Sequence, residues 1–114
     1  YTNWMFVIKP NDGEGDCFQF DFITDKKTES EGFIGEYVSS DFLAINSFIP
    51  GWTDGVYLLC SWFFTADQSE LAPFRGGKMS IKDNGDGTIT VDIDVKDDLR
   101  NRITATWTGT PIKA

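Results

Sequence analysis

Between residues 88 and 95 the chain alternates without a break: Ile89, Val91, Ile93 and Val95 fall on one side, Thr90, Asp92 and Asp94 on the other. A period of two marks a β-strand with one face buried and one wet. Met79 and Ile81 alternate in the same way with Lys78, Ser80 and Lys82. Ile103, Ala105 and Trp107 do so with Thr104, Thr106 and Thr108. The final third therefore reads as a meander of strands over 78–82, 88–95 and 102–108. Upstream, "WMFVIK" (4–9) is an apolar run ended by Pro10, and "CFQFDFIT" (17–24) sets Phe18, Phe20 and Phe22 on one face. "FIGEYVS" (33–39) is a short strand, and "VYLLCSWFFT" (56–65) a strand without alternation. The stretches 11–16, 25–32, 40–55 and 66–77 carry the turn chemistry of loops, with a helical turn expected before Pro50.

No helical period outlasts a turn, and the strands follow one another at short spacing. The expectation is one antiparallel all-β domain spanning 1–114, a two-layer β-sandwich of about seven strands. A small lipocalin-like β-barrel is the alternative, since meanders feed both. One strand breaks the pattern. Residues 56–64 are apolar on both faces, so something must cover the second face. The segment 40–54, with Phe42, Leu43, Ile45, Phe48 and Ile49, is the expected cover.

The segment "IKDNGDGTITVDIDVKDD" (81–98) has the look of a calcium loop. An EF-hand needs oxygen ligands at its first, third and fifth positions, Gly at the sixth and a bidentate acid at the twelfth. Setting Gly87 at the sixth puts Asn84 and Asp86 correctly but leaves Lys82 and Ile93 as first and last ligands. A cation and a hydrocarbon do not close a cage. The flanks alternate as strands, and the Asn-Gly and Asp-Gly pairs supply the positive φ of a hairpin connection. The segment is a turn.

Charge narrows the partners. With 18 acidic against 10 basic residues the net charge is −8, which repels phosphate backbones and argues against nucleic acid. No run approaches the roughly 20 apolar residues of a membrane span. The chain opens on Tyr1 without a Met, as expected of a processed form or an excised domain. Cys17 shares a face with Gln19 and Asp21, Cys60 with Trp62 and Phe64, so the strand faces give no pairing and free thiols are expected.

The pattern "GGKMSI…GDGTITVDIDVKDDLRNRITATWTG" resembles the closing meander of small exported cell-envelope proteins of Bacteroides-type gut bacteria. "FIGEYVSSD" is similar to their P-x-G-x-Y strand, with Ile34 where Pro is usual, and "SWFF…APFRGGKMSI" to their connection into the meander. Arg100 stands where a turn Gly is common. The resemblance covers about two thirds of the chain by pattern, and its motifs are structural. It implies an exported domain, periplasmic or at the cell surface. Such domains are often lipid-anchored through a segment outside this chain, and sometimes one of several in tandem. It carries over no catalytic residue.

The residues agree with a non-catalytic role. The chain has no His, which removes Ser-His-Asp and Cys-His catalysis and the commonest metal ligand. No metal or other cofactor is expected, because two separated Cys without His make no zinc site. Asp92 and Asp94 lie on the wet face of a strand, where carboxylates are ordinarily solvated. Binding is the better expectation. Trp4, Tyr37, Trp62 and Trp107 sit on strands and belong to the core, whereas Trp52 lies in the Pro/Gly turn "FIPGWTDG" beside Asp54. Trp52, Asp54 and Tyr57 are the candidate ligand-binding residues, for a glycan or a protein. The preferred reading of Trp52 itself is nonetheless a plug folded back into the open end of the fold, with the exposed platform second. The chain is expected to act as a recognition module, or alternatively as a structural spacer or assembly subunit packing on a tandem domain or neighbouring subunit.

Overall fold

The computed structural model describes residues 2–9, 16–24, 32–40, 44–56, 58–65, 67 and 69–111. Among them run ten strands and no helix: β1 (Thr2–Ile8), β2 (Asp16–Thr24), β3 (Gly35–Ser39), β4 (Ser47–Phe48), β5 (Trp52–Thr53), β6 (Leu58–Leu59), β7 (Trp62–Thr65), β8 (Leu71–Asp83), β9 (Ile89–Asp97) and β10 (Arg102–Gly109). The all-β expectation holds. Of the two architectures the sequence allows, the hydrogen bonds draw the small barrel. β2 pairs with β4 and β7, β8 pairs with β3 and β7, and β3 joins β4, so five strands close a ring. A sandwich would leave its two layers unbonded; here β7 bridges β2 to β8 at one end and the β3–β4 pair bridges them at the other. β3–β4 is parallel, the remaining pairs antiparallel. β1 extends the sheet beyond β2, while β9 and β10 extend it beyond β8.

The alternating residues point as the pattern requires. Phe18, Phe20 and Phe22 of β2 turn inward with Tyr37, Phe48, Phe74, Met79 and Ile81. Ile89, Val91, Ile93 and Val95 of β9 join them, each no more than 5% exposed. Each large side chain taken from water contributes ~1.5–3 kcal/mol, which is why the chain curls the sheet around this row. Most rings meet edge-on or tilted, as between Phe20 and Phe48 at 5.4 Å and Phe22 and Tyr37 at 4.5 Å, while Phe18 and Phe74 stack at 6.5 Å. The Tyr37 hydroxyl, deep in the core, donates to the Phe33 carbonyl at 2.6 Å.

Three segments differ from expectation. Residues 66–77 read as a loop, yet β8 runs from Leu71 for 13 residues. Pro73 is tolerated because it faces Trp62 at the start of the strand, before the β9 pairing begins at Phe74. Gly76 and Gly77 then follow a register shift. Gly77 has φ +107, and a Cβ there would lie 2.4 Å from the Asp94 carbonyl oxygen. Pro and Gly thus bend one long strand so that it serves both ends of the barrel.

The second difference is at 56–65, where one strand was expected and two short ones occur. β6 and β7 are separated by Cys60, whose φ of +69 breaks the strand and resets its phase. The third is at 40–55, where β4 and β5 occupy part of the expected irregular region and Ala44–Asn46 makes a turn, with Asn46 at φ +61. Phe42 and Leu43 lie outside the described residues. The 83–88 turn is as expected. Asp83 accepts from the Gly85 N–H at 2.8 Å and Asp86 from the Thr88 N–H at 3.0 Å, with Gly85 and Gly87 at positive φ. Among the described residues no group of three His, Cys, Asp or Glu is placed to hold a metal.

Candidate functional site

The second face of β7 explains how Trp52 is displayed. Trp62 and Phe64 point away from the barrel interior and bury with Cys17 of β2 and Leu58 of β6 in a small outer cluster. The cover is the β5–β6 hairpin, so the end of the expected 40–54 segment takes part through β5, but Leu58 beyond it completes the cover and Phe48 enters the main core instead. The two thiols therefore share the outer face, but at separate points along β2. Cys17 lies opposite Phe64, and Cys60 sits beside Asp21 four residues along. Four residues of strand span ~13 Å, beyond the reach of a disulfide. Both are free.

Polar side chains fix the hairpin backbone to the barrel. The Trp62 indole N–H is shared between the Leu59 carbonyl at 2.8 Å and the Trp52 carbonyl at 3.2 Å. The Gln19 amide donates to the Cys60 and Leu58 carbonyls at 2.7 and 3.3 Å. Arg75 donates to the Gly51 carbonyl. Gly51 itself is buried, and a Cβ there would come within 2.3 Å of the Ser61 carbonyl oxygen. Only glycine lets the chain enter the hairpin this close to β7.

Trp52 ends on the outside. Its side chain is 53% exposed, so it plugs nothing; Trp62, 6% exposed, fills the space beneath. The Trp52 indole reaches the Cys60 thiol, which also meets the Asp21 carboxylate. Burial and the Asp21 charge push the Cys60 thiol above its ordinary 9.0, against a smaller opposing pull from the indole. A thiol held protonated is a poor nucleophile.

Asp54 lies on the same hairpin, but its carboxylate shapes the tip by accepting from the Val56 N–H at 2.9 Å. The Thr53 hydroxyl does likewise for the Gly55 N–H at 3.1 Å. Asp54 is thus a turn former before it is a ligand group. Tyr57 lies outside the described residues. Two residues that the sequence reading passed over flank this surface. Met5 of β1 sits opposite Asp21 and Val7 opposite Gln19, and both are about half exposed. Their signal was "WMFVI", apolar at both parities where a half-buried strand should alternate.

A second, polar concavity of ≈ 440 Å³ lies on the outer face of β3, β8, β9 and β10. Across the strands one row reads Glu36, Ser80, Asp92, Thr106 and the next Val38, Lys78, Asp94, Thr104. Thr106 donates to Asp92 at 2.8 Å, and Arg102 clamps both oxygens of Asp94 at 2.8 and 2.9 Å. The Arg102 hydrogen bond holds Asp94 below the ordinary carboxylate value.

Fold and surface define a small all-β barrel that carries an outer hairpin bearing an exposed tryptophan. No family model matches the chain, and no curated protein or solved structure matches it either.

Proposed function

We propose that the chain is a non-catalytic recognition domain of the cell envelope, exported to the periplasm or surface, which binds a glycan or protein ligand through Trp52. What supports this reading is the mounting of that ring. A side chain of this size, 53% exposed on a hairpin held by Trp62, Gln19 and Arg75, loses little further entropy on contact. Exported location rests on the resemblance of the closing meander alone. The exposed Val56 at the hairpin tip gives the surface an apolar character that favours protein over sugar.

Intrinsic fluorescence titrated against envelope glycans and envelope protein fractions tests the reading. A saturable change that is lost in Trp52→Ala, while the melting curve stays in place, is the expected result. A response that survives Trp52→Ala removes the hairpin from recognition.

A further inference from the structure

Among the described residues the sheet has two ends, β1 and β10, and they differ in the side chains they present outward. β10 presents Thr104, Thr106 and Thr108 outward with Arg102 at its start, and Pro111 follows its end. Polar side chains, a charge and a nearby proline discourage further pairing. β1 is likewise followed by a charge and a proline, Lys9 and Pro10, but its outer face carries Met5 and Val7 where β10 carries threonines. Met5 and Val7 are 53% and 46% exposed on its outer side, and Trp4, Phe6 and Ile8 remain half-buried on its inner side. A strand apolar on both faces is ordinarily covered on both, and an edge of this kind is a template for another strand. Within one copy β10 does not close it. An open cavity of ≈ 260 Å³ separates Ile8 and Lys9 from Ala105 and Trp107.

We propose that two copies of this chain pair through β1, antiparallel, about a two-fold axis at Met5. A symmetric pairing requires a strand that is its own complement. In this register Asn3 faces Val7 of the second copy, Trp4 faces Phe6, and Met5 faces Met5. Apolar rings then meet on the inner face, and Met5 meets Met5 on the outer face between two Asn3–Val7 pairs. Charge selects the second copy as the occupant. The chain carries a net −8, yet residues 2–8 contain no charge at all, and Lys9 lies beyond the paired stretch. An uncharged strip sets no like charges directly against one another across the seam of two acidic bodies, and β1 supplies it. A seven-residue pairing buries on the order of 1,000 Å², the lower limit for a specific interface. The dimer therefore dissociates on dilution.

Sedimentation of the chain from low to high micromolar concentration tests the proposal, with thermal melts as the check on folding. The expected result is a mass rising from monomer to dimer for the unsubstituted chain and a monomer throughout for Met5→Lys and for Met5→Glu. Mixing the two variants should restore the dimer, because the axis at Met5 sets Lys against Glu. Val7→Lys serves as the second variant should either Met5 variant melt early, and it should weaken the dimer. A mass that never exceeds the monomer overturns the proposal, as does a dimer indifferent to Met5→Lys or a mixture that stays monomeric. Growth past the dimer, which indicates head-to-tail pairing of β1 on β10, overturns it equally.

Discussion

Asp97 is a residue whose role is visible only in three dimensions. It closes β9 at 7% exposure and accepts from the Leu99 N–H at 2.9 Å, the Asn101 N–H at 2.8 Å and the Asn101 amide at 3.1 Å. Desolvation alone would raise its pKa, but hydrogen bonds from Asn101 and Leu99 outweigh it and hold the group below 3.8. A carboxyl whose folded pKa is depressed stabilises the fold fully above its unfolded value and loses that contribution as pH falls through the folded one. Asp67, Asp86 and Asp94 shift in the same direction, so stability should decline below about pH 4. Asp97→Asn should flatten part of that decline while lowering stability at pH 7, as read by urea unfolding across pH. An acid limb unchanged by the substitution would mean that the turn does not depend on the charge. In the sequence, Asp97 is one of two adjacent acids, and nothing there distinguishes it from the exposed Asp98.

At the scale of elements, legibility follows how strictly each strand keeps its period. β9 alternates through its whole length, and its inward and outward sets are those the pattern names. Val91→Asp should therefore unfold or severely destabilise the protein by burying an unpaired carboxylate, whereas Thr90→Asp should stay within ~0.5 kcal/mol on the wet face. Equal stabilities in denaturant melts would place the meander in a different register. β8 was hidden for the opposite reason. Its Pro73 and its Gly76–Gly77 pair are loop residues by composition, and only the position of Pro73 before the β9 ladder and the bulge beside Asp94 make them strand residues. The break at Cys60 was equally hidden, because a non-glycine residue with φ +69 leaves no mark in a sequence.

For the whole molecule, the sequence carried the class of fold and singled out Trp52, but it favoured a buried plug over the exposed ring that occurs. An apolar strand that needed a cover was legible, and so was the segment that carries Trp52; that this segment covers it as a hairpin completed by Leu58 was not. That depends on Gly51 allowing close approach and on Trp62 holding two carbonyls of the hairpin. The central claim is this division of labour, Trp62 as the support beneath and Trp52 as the face presented to a partner. Urea unfolding of Trp52→Ala beside Trp62→Ala tests it most directly. Trp62→Ala should lose ~3–5 kcal/mol, as expected when a buried ring is removed, and Trp52→Ala less than ~1 kcal/mol. A loss at Trp52 equal to or greater than that at Trp62 would contradict the account, because Trp52 would then be part of what holds the fold together.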